Sequence, residues 1–300
     1  MLNEISIFDS PWWLIGLGLS LVASLFGTLG KVLMKLSHVK NESKSIFAIA
    51  TLCVVVLNPV FDAMSYAYAA QSVLAPMAGL SVAWNTILSP YFLQEKLTKT
   101  DIKGAYWIVS GCVLVGISGS HQVPTHSRVQ LFALFKETGF LMYAALVLAS
   151  SAILFFMIKT LPKSSKYRKV AYGVLSGLIG GNLFFLKAAV ELLHDDNDDI
   201  WSYVETYLIV FGALGTAGGG LMVLNQGLRD YEALYLVAMY QSFLIIIGSI
   251  SGAVFFHEMS GMKAWWQDML YPLSILMTIN GIMILSRETG SETIQLLYKE

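Results

Sequence analysis

Between Val55 and Ala70 the chain reads as membrane hydrocarbon, "VVLNPVFDAMSYAYAA", except for Asn58, Pro59 and Asp62. A carboxylate in the bilayer core costs roughly 2.5–3.5 kcal/mol on insertion scales, so Asp62 needs a reason to be there. Pro59 lacks a backbone N–H and should free the carbonyl about four residues earlier, near Val55. That carbonyl, the Asn58 amide and the Asp62 carboxylate would together make a cluster of oxygens, the ligand type a hard cation prefers. The bland alternative is a proline kink with Asn58 bonding a neighbouring helix.

Other polar residues in apolar runs bear on the choice. From helical rise, Asp62 should lie roughly 7 Å outward of the middle of its run and Lys187 about 9 Å outward in another. An Asp62–Lys187 ion pair is therefore expected, with Glu191 one turn from Lys187; a bound cation could displace the lysine, so pair and site are compatible. Lys31 falls a similar distance inward, too far for a comfortable pair, and with Lys35 it reads as snorkelling to the cytoplasmic surface. Lys187 alone would also fit an anionic substrate. Asn85 and Asn182 are candidate amide ligands beside Asn58, and Asn225 is a further candidate near a cytoplasmic end. The expected metal set is Asp62, Asn58 and Asn182. Glu95 and Glu258 close two runs at opposite faces, where a structural role is expected, bonding loop backbone or a lysine. The acidic stretch 195–199 lacks the central Gly and final Glu of an EF-hand loop and reads as a solvated turn that could concentrate cations at a mouth. No nucleophile–base pair, phosphate-binding glycine loop or His/Cys metal spacing is present in the sequence, so enzyme chemistry and a resident cofactor are not expected. Cys53 and Cys112 lie inside apolar runs as small core residues.

The elements that must hold these groups are membrane spans. The 300 residues are 56% hydrophobic and 13% charged, about half the usual charge of a soluble domain. Apolar runs suited to ~30 Å of hydrocarbon occur at 12–36, 45–68, 72–93, 103–120, 138–158, 170–192, 202–224, 232–256 and 271–286. The fold expected is an all-α polytopic bundle of nine spans, or ten if 121–137 or 257–270 inserts. Residues 12–286 form one domain with short tails at 1–11 and 287–300, and the start of the chain lacks the basic n-region of a cleaved signal peptide. One set of alternate loops, with the C-terminal tail, holds thirteen Lys and Arg, against three (Arg128, Lys136, Lys263) in the other. The positive-inside bias then puts the N-terminus outside or in a lumen and the C-terminus in the cytoplasm. The halves 12–120 and 138–286 also repeat weakly: an offset of 156 aligns Ser20 with Ser176 and Lys31 with Lys187, and an offset of 163 aligns Ala75 with Ala238, Phe92 with Phe255 and Glu95 with Glu258. The first run points inward and the sixth outward, so the repeats are inverted, as in secondary transporters with a midplane site. Small residues such as Gly248 and Gly252, Ser176 to Gly181 and Gly212 to Gly220 suit close helix packing or sliding.

The segment "SYAYAAQSVLAPMAGLSVAWNTILSPYFLQEKL" (65–97) resembles the diagnostic stretch of the NIPA-type magnesium transporters of the drug/metabolite transporter superfamily, through Tyr66, Ala69, Leu74, Pro76, Leu80, Ser81, Val82, Glu95 and Leu97. "GLGLSLVAS", "GVLSGLIGGNLFFLKA", "LNQGL" and "YQSFLIIIGSISGAVFFHE" extend the resemblance over about 12–286. It implies a drug/metabolite-transporter-like bundle carrying a divalent cation, magnesium, by alternating access through a midplane site between spans 2, 3, 6 and 7. The family's Gly-Glu pair in span 2 is Asn58-Pro59 here and its following Asn is Asp62, so Asp62 would stand in for that Glu. Pro59, Pro76, Glu95, Glu258, Gly248 and Gly252 are expected to be structural. A transporter of a small, anionic organic metabolite is the alternative, and a non-transporting receptor or scaffold would give the buried polar residues little purpose. The partners implied are the lipid bilayer and the transported solute, with no nucleic acid and a homodimer left open; plasma membrane and endosome are equally compatible.

Overall fold

A computed structural model describes residues 12–39, 44–93, 98–121, 126–193, 200–231, 233–262 and 264–297. Among the described residues there are helices and no strands, and nine helical segments are long and apolar enough to cross a membrane. They are Trp12–Leu33, Lys44–Tyr68, Gln71–Phe92, Lys99–Ser118, Thr138–Thr160, Lys166–Leu193, Val204–Leu228, Tyr235–Phe255 and Trp265–Leu285, hereafter spans 1 to 9. The chain is thus an integral multi-pass membrane protein. Among the described residues, 121–137 holds a helix of seven residues, Arg128–Leu134, and 257–270 holds a short 3-10 turn, Glu258–Gly261, and the start of the helix that forms the last span; neither adds a further helix long enough for ~30 Å of hydrocarbon.

Span 1 is one helix, α1 (Trp12–Val39). Span 2 joins α2 (Lys44–Leu52) to α3 (Asn58–Tyr68) through a π turn, Cys53–Leu57, in which the Asn58 N–H donates to the Cys53 carbonyl. The wide turn sits immediately before Pro59, which has no N–H to give the ladder. Span 3 begins after two extended residues, Ala69 and Ala70, as α4 (Gln71–Met77), turns at Ala78–Gly79 and continues as α5 (Leu80–Leu93). Span 4 is α6 (Lys99–Ser118), started by a capping box between Thr98 and Asp101; the short α7 (Arg128–Leu134) and span 5, α8 (Thr138–Thr160), follow. Span 6 is broken between α9 (Lys166–Gly180) and α10 (Phe184–Leu193). Spans 7, 8 and 9 are α11 (Val204–Leu228), α12 (Ala233–Phe255) and the membrane part of α13 (Trp265–Leu297).

Helix partnerships recur between the halves. Span 1 packs on spans 2 and 3, and span 6 packs on spans 7 and 8; span 3 meets span 8, and span 4 pairs with span 9. Exchanging spans 1–4 for spans 6–9 leaves this pattern unchanged. Outward faces carry Val55, Val60, Leu208, Phe211 and Leu214, all largely exposed on the protein itself and suited to lipid.

Several spans approach through glycine. A Cβ on Gly281 would lie 2.7 Å from the Gly104 carbonyl oxygen and 2.8 Å from the Ile108 nitrogen. One on Gly111 would strike Thr278 and come within 2.8 Å of the Ser274 carbonyl oxygen, so α6 and α13 meet backbone to backbone. In α11, by contrast, Gly215 and Gly218 face open space while Gly220 lies against Gly180. Gly111→Leu should therefore force α6 and α13 apart and cost about 1–3 kcal/mol, the usual penalty of overpacking. Gly215→Leu should leave thermal unfolding of the detergent-purified protein unchanged; equal effects of the two would contradict this packing.

Candidate functional site

Asp62 and Asn58, one helical turn apart on α3, face a cavity of about 260 Å³ within the bundle. Span 1 contributes Ser20, Ser24, Gly27 and Lys31 to its wall, and α3 adds Tyr66. The rest comes from Leu74 to Ser81 of span 3, Leu183 at the break in span 6, and Tyr240, Gln241 and Leu244 of α12. Gly27 makes room for the amide: a Cβ there would lie 2.9 Å from the Asn58 Cγ. The Thr28 hydroxyl donates to the Ser24 and Ser81 carbonyls at 2.9 and 3.0 Å, fixing span 1 against span 3 beside the cavity. Asp62 is half-buried, and among the described residues its carboxylate has no hydrogen-bond or ion-pair partner; only its backbone carbonyl is engaged, by the Ser65 hydroxyl.

Lys187 is elsewhere. Its fully buried ammonium donates to Glu258 Oε1 at 2.7 Å, lies over the Phe256 ring at 4.3 Å, and is 3.9 Å from Glu191. The expected Asp62–Lys187 pair is thus replaced by Lys187–Glu258: helical depth placed the lysine and the aspartate at similar levels, but the rotation of span 6 turns Lys187 toward the end of span 8. Glu258 does more than neutralise it. Helix α4 begins inside the protein after Ala70, which has no side chain to cap it, and the first N–H groups of a helix need acceptors. Glu258 supplies them, taking the Gln71 N–H on Oε1 at 2.8 Å and the Ser72 N–H on Oε2 at 2.7 Å. The same helix end favours a negative charge. Burial alone would raise the Glu258 pKa, but the Lys187 charge and the hydrogen bonds from Lys187 and Ser72 outweigh it and hold the carboxyl below its ordinary value. Gly252 admits this arrangement, since a Cβ there would lie 2.9 Å from Glu258 Oε2. Gly248 packs against Ala75 and Leu183. The Gln71 amide donates to the Gly248 carbonyl and the Ser251 hydroxyl.

The remaining sequence candidates divide. Asn182 does not line the cavity: its Nδ2 donates to the Leu178 and Ile179 carbonyls at the end of α9, and its Oδ1 accepts from the Tyr143 hydroxyl at 2.8 Å. One end of the amide serves the helix break and the other is held by span 5. Asn85 and Asn225 are exposed and outside the cavity lining, and Pro59 too faces away from it. Span 7 contributes nothing to the cavity, whereas spans 1 and 8 do. Pro76 is buried in α4, its carbonyl accepting the Cys112 thiol at 3.4 Å; both cysteines are free and buried. Glu95 and the acidic stretch 195–199 lie outside the described residues, as does the side chain of Lys35. Sequence reasoning missed Ser20, Ser24, Ser81, Tyr240 and Gln241 as lining residues; the i, i+4 spacing of Ser20 and Ser24 on the face of Gly27 and Lys31 was the available signal.

Among the described residues no three His, Cys, Asp or Glu come together as a closed metal centre. What the cavity offers is one carboxylate, the Lys31 ammonium, two amides and several hydroxyls around an interior with room for several waters, each taking roughly 30 Å³ in the liquid. That suits a cation that keeps much of its hydration shell.

The sequence profile described as "Magnesium transporter NIPA" matches residues 13–290. Relatives include the probable magnesium transporter NIPA8 of Arabidopsis thaliana, 26% identical over 94% of this chain and 71% of that protein. The probable magnesium transporter NIPA6 of the same plant is 23% identical over 72% of this chain and 66% of that protein. The human magnesium transporter NIPA4 is 26% identical over 67% of this chain and 50% of that protein. Several of these matches thus span less than two thirds of the relative. No solved structure matches the chain.

Removing the Glu258 charge should leave a fully buried ammonium unneutralised and weaken the acceptor shared with two backbone N–H groups, those of Gln71 and Ser72. Glu258→Gln is expected to destabilise the protein by about 3–5 kcal/mol. Adding Lys187→Met should recover much of that loss in thermal unfolding, whereas Asp62→Asn alone should shift stability by less than about 0.5 kcal/mol. Strict additivity of the Lys187 and Glu258 changes would contradict their pairing.

Proposed function

The chain belongs to the NIPA magnesium transporter family, and from that premise we propose that it carries magnesium across the membrane through the cavity lined by Asp62 and Asn58, by alternating access. The observation that carries this reading is the Asp62 carboxylate: it faces a polar cavity inside the bundle with no protein partner among the described residues. The cost of a carboxylate in hydrocarbon is then explained by the cation it attracts. Magnesium dehydrates reluctantly and is commonly held by one or two carboxylates with several waters retained. One aspartate with the Asn58 and Gln241 amides and the Ser20, Ser24 and Ser81 hydroxyls fits such a partly hydrated ion. Asp62 is the main charge and Asn58 its neighbour; Asn182 and Lys187 serve structure, and no enzymatic step is invoked. The recurrence of helix partnerships between the halves supports two repeats rocking about the cavity. The excess of Lys and Arg in alternate loops supports a cytoplasmic C-terminus.

An anionic metabolite is the competing substrate, favoured by Lys31 in the same cavity. Purified protein in proteoliposomes should take up magnesium and restore growth of a magnesium-auxotrophic host, and Asp62→Asn should abolish both while the variant remains folded. Undiminished magnesium transport by Asp62→Asn would remove the proposed site. For the orientation, cysteines placed at Ser127 and Lys163 should be labelled from opposite sides of the membrane; labelling from one side would sink that topology.

A further inference from the structure

Of the residues lining the Asp62 cavity, two carry charge at neutral pH, Asp62 and Lys31. Among the described residues neither has an ion-pair partner, whereas Lys187 is fully engaged by Glu258. Span 1 and span 2 run antiparallel, as their contacts show: Gly16 lies against Ala69 and Ser65, Gly27 against Asn58, and Gly30 against Val54 and Ala50. Lys31 is one turn beyond Gly27, and Asp62 is one turn beyond Asn58 in the opposite direction, so their Cα atoms differ in level by about 12 Å. Helical side chains lean toward the N-terminus of their own helix. In antiparallel helices these leans oppose, so both side chains set out toward the level of Gly27 and Asn58, and both line the one cavity without forming an ion pair there. Lys31 is exposed on the protein itself and Asp62 half-buried, and the cavity of about 260 Å³ that both line separates them.

Building on the magnesium reading, we infer that Lys31 is the tethered counter-cation of the site: its ammonium balances Asp62 when no magnesium is bound and withdraws when the ion arrives. A carrier that alternates access must reorient empty as well as loaded. An empty cavity with a bare carboxylate would carry an uncompensated charge in a low-dielectric bundle, and Lys31 cancels it. A dication competes with one ammonium by its doubled charge, whereas a monovalent cation gains no such advantage. Lys31 is therefore a specificity-determining residue that favours net transport over obligatory exchange, and favours dications over monovalent ones.

The test compares two modes of the full chain in proteoliposomes: net magnesium uptake into magnesium-free vesicles, and isotopic magnesium exchange into vesicles preloaded with the ion. Lys31→Gln should cut net uptake at least tenfold while exchange stays within twofold of wild type, and Lys31→Arg should keep net uptake. Magnesium binding to the detergent-solubilised Lys31→Gln protein should be several-fold tighter than wild type, because the competing ammonium is gone. Parallel loss in both modes, no loss in either, or weaker or unchanged binding would overturn the inference and leave Lys31 as a snorkelling anchor. A wild-type protein that moves magnesium in neither mode would instead overturn the magnesium reading, and the inference with it.

Discussion

The carboxylate of Glu258 is the point on which the arrangement of spans depends. Helix α4 starts within the protein, after two extended residues and without a capping side chain of its own, so its first N–H groups must be satisfied from elsewhere. Glu258, at the end of span 8, accepts both and is neutralised by Lys187 of span 6. Three distant stretches of chain are thereby fixed at one buried point, and the missing side chain of Gly252 lets them close. The Tyr271 hydroxyl of span 9 adds a fourth, donating to the Ser72 carbonyl at 2.8 Å.

With span 3 anchored in this way, the space left between spans 1, 2, 3, 6 and 8 is the cavity. Its walls are helices whose regular ladders are interrupted nearby: the π turn before Asn58, the Ala78–Gly79 turn, and the break at 181–183 capped by Asn182. Irregular backbone at membrane depth is tolerated where it is buried in protein or lines a polar space, and these interruptions meet that condition. The charges divide by the same logic. Lys187 and Glu258 satisfy each other and are closed to solvent, while Asp62 has no partner for its carboxylate among the described residues and faces the cavity. A buried ion pair of this kind is costly to break because either partner alone is left unpaired. The free carboxylate is costly to keep, and it is on this cost that the proposed magnesium site rests.

Family membership and local chemistry meet at span 2. The resemblance covers nearly the whole chain, yet its carboxylate stands at Asp62 and its helix break at Asn58-Pro59. Pro59 faces away from the cavity while residues 58, 62 and 66, spaced by one turn, face into it. The π turn and the proline therefore shape the face that the aspartate occupies without contributing a side chain to it.

The sequence shows its spans through hydropathy, because the need for a stretch of apolar residues matched to the bilayer is met locally: among the described residues, each of the nine runs corresponds to a helix long and apolar enough to cross a membrane. It also announced the break in span 2, since Pro59 lacks a donor wherever it sits, and the structural use of Glu258, a carboxylate at a helix end that needed backbone or a lysine. What it could not fix was azimuth. Helical rise gives depth along the membrane normal, but which neighbour a side chain meets depends on how each helix is rotated and packed. Lys187 and Asp62 share a depth and still do not meet, because span 6 turns its lysine toward a residue 71 positions later in the chain. Asn182 looked like a ligand, yet the break beside it and Tyr143 of span 5 between them engage both ends of its amide. Lys31 looked too distant from Asp62 when judged by Cα level alone. Only the antiparallel packing of span 1 on span 2, through Gly16, Gly27 and Gly30, brings the two residues to the wall of one cavity.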